Sequence, residues 1–176
     1  MKLRFNPANI RTLSKDYEAS LSARDRKLTD AISQSVFPAY AERGYLTKQE
    51  FLTVCAWKTP RSRPRCESND EQLIREISSL APTVESDQLR IEIWTLLSGV
   101  KWPTASVFVH FAFPDAFPIL DFRALWSLRE DVPKQYDFPF WWRYTLYCRE
   151  LAHTHNVSMR ELDQALWQYS KLHQKT

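Results

Sequence analysis

Only two glycines occur in 176 residues, Gly44 and Gly99, and they constrain the chain more than any other feature. Glycine is needed where the backbone takes a positive φ angle or lies close against something else. With the residue this scarce, Gly99 reads as a required tight turn between two helices, and Gly44 as a second turn. The surroundings of Gly99 run Leu97-Ser98-Gly99-Val100-Lys101-Trp102-Pro103-Thr104-Ala105-Ser106. They lead, through an apolar run, to Pro118-Ile119-Leu120-Asp121-Phe122-Arg123.

Apolar spacing and cap signals predict helices along the rest of the chain. After a lead-in arm ending near Asn9, residues Tyr17, Leu21, Leu28 and Ile32 recur at helical or heptad-like intervals and predict one long helix or two short ones over 14–35. Phe37-Pro38 is expected to end it, because the residue before a proline is pushed out of the helical region. Thr47-Lys48-Gln49-Glu50, Ser68-Asn69-Asp70-Glu71 and Ser158-Met159-Arg160-Glu161 each have the form of a capping box. Their helices are expected to end near Trp57, Leu80 and His173. Ser86 is expected to cap an apolar helix that stops at Gly99. Further helices are expected over 104–111, 122–129 and 138–152. No stretch alternates strictly enough for a strand, so the expected architecture is all-α with short loops punctuated by proline.

Hydrophobic residues at 44% and aromatics at 14% exclude disorder over any long span. No window has the apolar length of a membrane span, and the N-terminus lacks the apolar core of a signal peptide, which sets the expectation of a cytoplasmic protein. Cys55, Cys66 and Cys148 form no CxxC pair, which argues against a disulfide framework, a zinc ribbon or an iron-sulfur cluster and leaves them as expected buried thiols. His153 and His155 sit two apart, on different faces of a helix, so no metal site is expected. A formal net charge of +3 permits a polyanionic partner without demanding one.

Two features carry chemistry. A helix, a short glycine-containing hairpin and a second helix form a platform whose backbone N–H groups favour an anion such as a nucleic-acid phosphate. The plainer alternative makes Gly99 only the cap of the preceding helix. Asp121 follows an apolar segment at the head of a new helix; taken alone it is an N-cap as readily as a catalytic group.

The order Leu97, Gly99-Val100-Lys101, Trp102-Pro103, Thr104-Ala105, an apolar helix, then Pro118-Ile119-Leu120-Asp121 resembles the helix-hairpin-helix DNA glycosylases, the superfamily of endonuclease III-like, adenine-mismatch and alkylbase glycosylases. The resemblance covers roughly residues 87–129. It implies a two-lobed helical fold, with a central lobe near 47–120 containing the hairpin 97–106, a second lobe from 1–46 and 121–176, and a base-binding cleft between them. It implies that Gly99, Val100, Lys101 and Thr104 hold a phosphate of double-stranded DNA and that Asp121 is the catalytic carboxylate. The position before Thr-Ala, where bifunctional members carry a lysine nucleophile, is Pro103, which implies base excision without strand cleavage. The second hairpin glycine of the family is Lys101 here, which adds a cation to the turn. The C-terminal cysteine cluster of some members is missing, so no cofactor is expected.

The basic loop 58–65, with Lys58, Arg61, Arg63 and Arg65, is expected either to follow the DNA backbone or to be an ordinary solvated loop. Trp57, Trp102, His110 and Phe111 are candidates to stack on a flipped base, against the plainer reading that such aromatics are core. The expected protein is a monomeric monofunctional DNA glycosylase, nucleoid-associated when bound. The alternatives are a non-catalytic helix-hairpin-helix DNA-binding module and a helical protein-interaction domain.

Overall fold

The computed structural model describes residues 1–175. Every regular element among them is helical: α1 (Ile10–Ala19), α2 (Ala23–Ala31), α3 (Phe37–Arg43), α4 (Lys48–Lys58), α5 (Arg63–Glu67), α6 (Glu71–Leu80), α7 (Asp87–Glu92), α8 (Trp102–Ala112), α9 (Phe122–Ser127), α10 (Phe138–Thr154) and α11 (Met159–His173). Short 3-10 turns lie at Pro7–Asn9, Pro60–Ser62 and Ile93–Leu96, and a π-turn at Ile32–Val36. No helix among the described residues is long and apolar enough to cross a membrane.

Local chemistry accounts for most helix starts. Thr47 and Ser158 form complete capping boxes with Glu50 and Glu161, each hydroxyl accepting from the third amide while the carboxylate accepts from the cap amide. The expected box at Ser68 does not form. Asp70 caps α6 instead, its Oδ1 accepting from Gln72 N–H at 2.8 Å and Leu73 N–H at 3.3 Å, while Ser68 Oγ donates to the Arg65 carbonyl. Aspartate outcompetes serine here because it sits nearer the first turn and brings a charge that suits the helix N-terminus.

Phe37-Pro38 does not end a helix, contrary to expectation. The chain stays helical through Arg43 because the π-turn lets Phe37 N–H reach the Ile32 carbonyl, and the wider turn absorbs the donor that Pro38 lacks. The stop comes at Gly44, whose φ of +83° is left-handed. Residues 58–65 are not a loop either. Lys58 ends α4, and Pro60 and Pro64 start two short helical turns, at first-turn positions where a missing N–H costs nothing.

By their packing the helices fall into two units, Ser22–Phe113 and Met1–Leu21 with the chain from Pro114 onward. In the first, the Phe108 ring is stacked between Trp94 at 4.3 Å and Phe51 at 5.6 Å, all three fully buried. Residues 22–46 belong to this unit: Tyr40 O–H donates to the Ser78 carbonyl at 2.8 Å, and Phe37 stacks on Phe111. In the second, Ile10, Leu13, Ser14 and Tyr17 form the buried stripe of α1, which packs along α11. Residues 114–120 belong here, with Phe117 stacked on Trp141 and the Ile119 carbonyl accepting from Tyr144 O–H at 2.9 Å. The first residues pair with the end of α9, Lys2 N–H donating to the Leu128 carbonyl and Arg4 N–H to that of Ser127.

Candidate functional site

The unit Ser22–Phe113 contains the hairpin. The apolar helix predicted to run to Gly99 is α-helical only to Glu92, tightens to a 3-10 turn and opens at Leu97. A turn follows, closed by Val100 N–H donating to the Leu97 carbonyl at 3.0 Å, with Gly99 at its third position at a φ of +82°. A second demand falls on the same residue. A Cβ placed on Gly99 would lie 2.6 Å from Cys66 Sγ and 3.2 Å from Arg65 Cβ. Gly99 is therefore more than a cap: it is the surface on which α5 rests.

Asn69, 4% exposed, ties the same contact with hydrogen bonds. Its Nδ2 donates to the carbonyls of Ser98 and Cys66, both at 2.9 Å, and its Oδ1 accepts from Ser98 N–H at 2.7 Å. The hairpin and the basic segment, distant in the chain, are one piece of structure. Burial pushes the Cys66 thiol up, and the Cys55 thiol beside it is pushed up by burial and by Cys66.

The remaining hairpin residues divide. Lys101 is exposed at the N-cap position of α8, and its carbonyl accepts from Thr104 and Ala105 N–H, both at 2.8 Å. Val100 and Thr104, each 4% exposed, have core side chains, and their amides are already spent on Leu97 and Lys101. Neither presents an exposed side chain or an uncommitted backbone N–H to an anion. In the basic segment Arg61 and Arg65 are exposed, Arg63 carries a largely exposed side chain, and Lys58 is half-buried. Arg63 pairs with Glu67 at 2.6 Å, which reduces the local positive excess.

The aromatic candidates are only partly brought together. Trp57 donates from Nε1 to Thr29 Oγ1 at 3.0 Å and meets Phe111 edge-on at 6.0 Å, and His110 meets Phe111 edge-on at 5.0 Å. Trp57 and Phe111 are half-buried, while His110 is 4% exposed and has no open ring face. Trp102 stands at the opposite end of α8, about 13 Å along the axis from Phe111 at 1.5 Å per residue. It does not belong to that cluster.

Asp121 lies in the other unit. Residues 117–120 arrive buried and outside any regular element, and Asp121 then caps α9 with Oδ1 accepting from Arg123 N–H at 2.9 Å. The carboxylate is half-buried. Tyr136, on the segment before α10, neighbours it: burial raises the phenol pKa, and the Asp121 charge raises it further. Arg123 lies over the Phe122 and Trp167 rings, 5.2 and 5.3 Å from their centroids. A half-exposed carboxylate can stabilise an adjacent cation and can take a proton from water.

No family model, no curated protein and no solved structure matches the chain. Among the described residues no group of three or more His, Cys, Asp or Glu side chains is placed to hold a metal ion.

The sequence marks neither Asn69 nor Tyr136 as a site residue, and it marks Cys66 only as a buried thiol. Asn69 stands in plain view as the second residue of an apparent capping box, but nothing local marks a side chain that also reaches Ser98, 29 positions away. Tyr136 carries no signal beyond its nearness to the start of an aromatic helix.

Proposed function

We propose that the chain is a monofunctional DNA glycosylase that excises a damaged or modified base from double-stranded DNA. The observation that supports this reading most is the packing of Gly99 on the helix that carries Arg63 and Arg65. Two features that point separately to a phosphate partner, a glycine turn and a basic segment, share one surface. Cations there bind backbone phosphates without reading sequence, and they position the duplex for chemistry on one extruded nucleotide.

In this reaction the bond between C1′ and the base nitrogen breaks, and its electron pair leaves with the base. Positive charge builds on the sugar, where the Asp121 carboxylate stabilises it. Water adds to C1′ and gives a proton to Asp121, which passes it to solvent, while the departing base anion takes up a proton from solvent, leaving an abasic site and a free base. With Pro103 before Thr104, no amine stands there to form a Schiff base, and the strand is left uncut.

A second reading is favoured by one specific observation: Asp121 already has a complete structural task as the cap of α9. A non-catalytic DNA-binding module needs nothing more from it. Asp121→Asn separates the two, because asparagine caps as well as aspartate while removing the charge. On duplexes carrying a panel of damaged or hypermodified bases, the substitution is expected to leave the melting temperature nearly unchanged and to lower abasic-site formation by about 10²–10³-fold. Excision that survives it removes Asp121 from the chemistry. Wild-type protein that binds every duplex and excises nothing establishes the module. A borohydride-trapped covalent complex contradicts the monofunctional assignment.

A further inference from the structure

We propose that Asn69 is a positioning residue that locks the basic segment to the Gly99 turn, so that Arg65 and Lys101 act as one phosphate-binding pair. The inference deepens the glycosylase reading and rests on it for the identity of the partner.

Asn69 treats the Ser98 peptide as another peptide would. It donates to the carbonyl at 2.9 Å and accepts from the N–H at 2.7 Å, leaving both polar groups of the residue before Gly99 satisfied. Its second donor bond, to the Cys66 carbonyl at 2.9 Å, ties the same carboxamide to the end of α5. No other side chain does this at the same length. Aspartate lacks the donors, serine and threonine have a single oxygen, and glutamine is one methylene too long.

Each half keeps its own local bonds, Val100 N–H to the Leu97 carbonyl in the turn and Arg63 to Glu67 on α5. What Asn69 adds is the register between them. On one side of the contact it fixes Arg65, whose Cβ rests against Gly99, and on the other Lys101, two residues beyond the glycine. Two flexible cations displayed from a fixed base lose less freedom on meeting a phosphate than two displayed independently. Their contributions to binding therefore depend on each other through Asn69.

The test has three arms. Hydrogen exchange compares wild type with Asn69→Ala: exchange at Ser98 and Val100 amides is expected to rise while the Trp94 and Phe108 core amides stay protected. Unchanged exchange at Ser98 overturns the proposal.

The second arm is a double-mutant cycle of Arg65→Gln and Lys101→Gln, both exposed positions, in duplex-DNA binding at low salt. With Asn69 present the two losses are expected to be non-additive; with Asn69→Ala they become additive, and affinity falls about tenfold. Additive losses in the wild-type background overturn the proposal even if Asn69→Ala fails to fold.

The third arm uses inorganic tripolyphosphate followed by amide chemical shifts. It is expected to perturb Arg65, Gly99 and Lys101 together in wild type and to lose that concert in Asn69→Ala. If the wild type binds no duplex but tripolyphosphate gives this pattern, the glycosylase reading falls and the Asn69 pairing stands. If tripolyphosphate moves neither segment, the pairing falls.

Discussion

The two glycines offer a comparison at the scale of single residues. Both have left-handed backbones, φ +83° at Gly44 and +82° at Gly99, but only Gly99 has neighbours where a Cβ would stand. Gly44→Ala is expected to cost only the backbone strain, about 1–2 kcal/mol. Gly99→Ala is expected to cost that and a further ~1–3 kcal/mol from the clash with Cys66 and Arg65. The difference in melting temperature between the two variants measures the clash alone; equal losses would mean that α5 shifts freely. Glu50 is a second informative residue. Burial acts to raise its pKa, but hydrogen bonds from Thr47 and Arg43 outweigh burial and hold the carboxyl below its usual value of 4.5. A carboxyl depressed in the folded state adds stability above its unfolded pKa, and that contribution is lost as pH falls from about 4.5 through the lower folded value. Glu50→Gln is expected to flatten melting temperature against pH in this acid window and to leave the rest of the profile parallel to wild type.

Among the elements, most helix boundaries with a local cause are readable, although the box expected at Ser68 gives way to a cap at Asp70. The boxes at Thr47 and Ser158 and the cap at Asp121 each depend on residues within four positions, and each forms as its spacing predicts. The failures have the opposite character. Phe37-Pro38 should break a helix, but a π-turn one step upstream relieves it, and no residue pattern announces a π-turn. The basic run reads as a loop because two prolines interrupt it, while each proline in fact begins a short helical turn. At the candidate site, Gly99 and Asp121 are visible in the sequence as residues under unusual demand. Asn69 is not, because its partner is chosen by how α5 and α6 pack against the hairpin and not by anything periodic. The helical form of the basic segment also changes what its charges do: Arg63 meets Glu67 one turn on, so Arg61 and Arg65 carry more of any phosphate binding. Neutralising Arg61 and Arg65 to Gln is expected to flatten the slope of log K against log salt by about 0.9 for each phosphate no longer neutralised, whereas Arg63→Gln changes it less. An unchanged slope in the first variant removes the segment from the interface.

For the whole molecule, the division of the chain puts the hairpin in Ser22–Phe113 and Asp121 in the unit that begins again at Pro114. The formal net charge of +3 is small, so the placement of the cations matters more than their sum. All three cysteines are free and buried. Their thiols are pushed upward in pKa, chiefly by burial, so the nucleophilic thiolate is scarce in the folded protein. Cys55 and Cys66 report from one unit and Cys148 from the other. An alkylating reagent is expected to leave the native protein unlabelled over hours and to modify each cysteine only when the helices around it open. Peptide mass spectrometry through a denaturant series then times the two openings separately within a single sample. Coincident labelling of all three sites would mark one cooperative body, and staggered labelling would give each unit its own stability. The thiols are thus a built-in pair of clocks, and they need no engineered label.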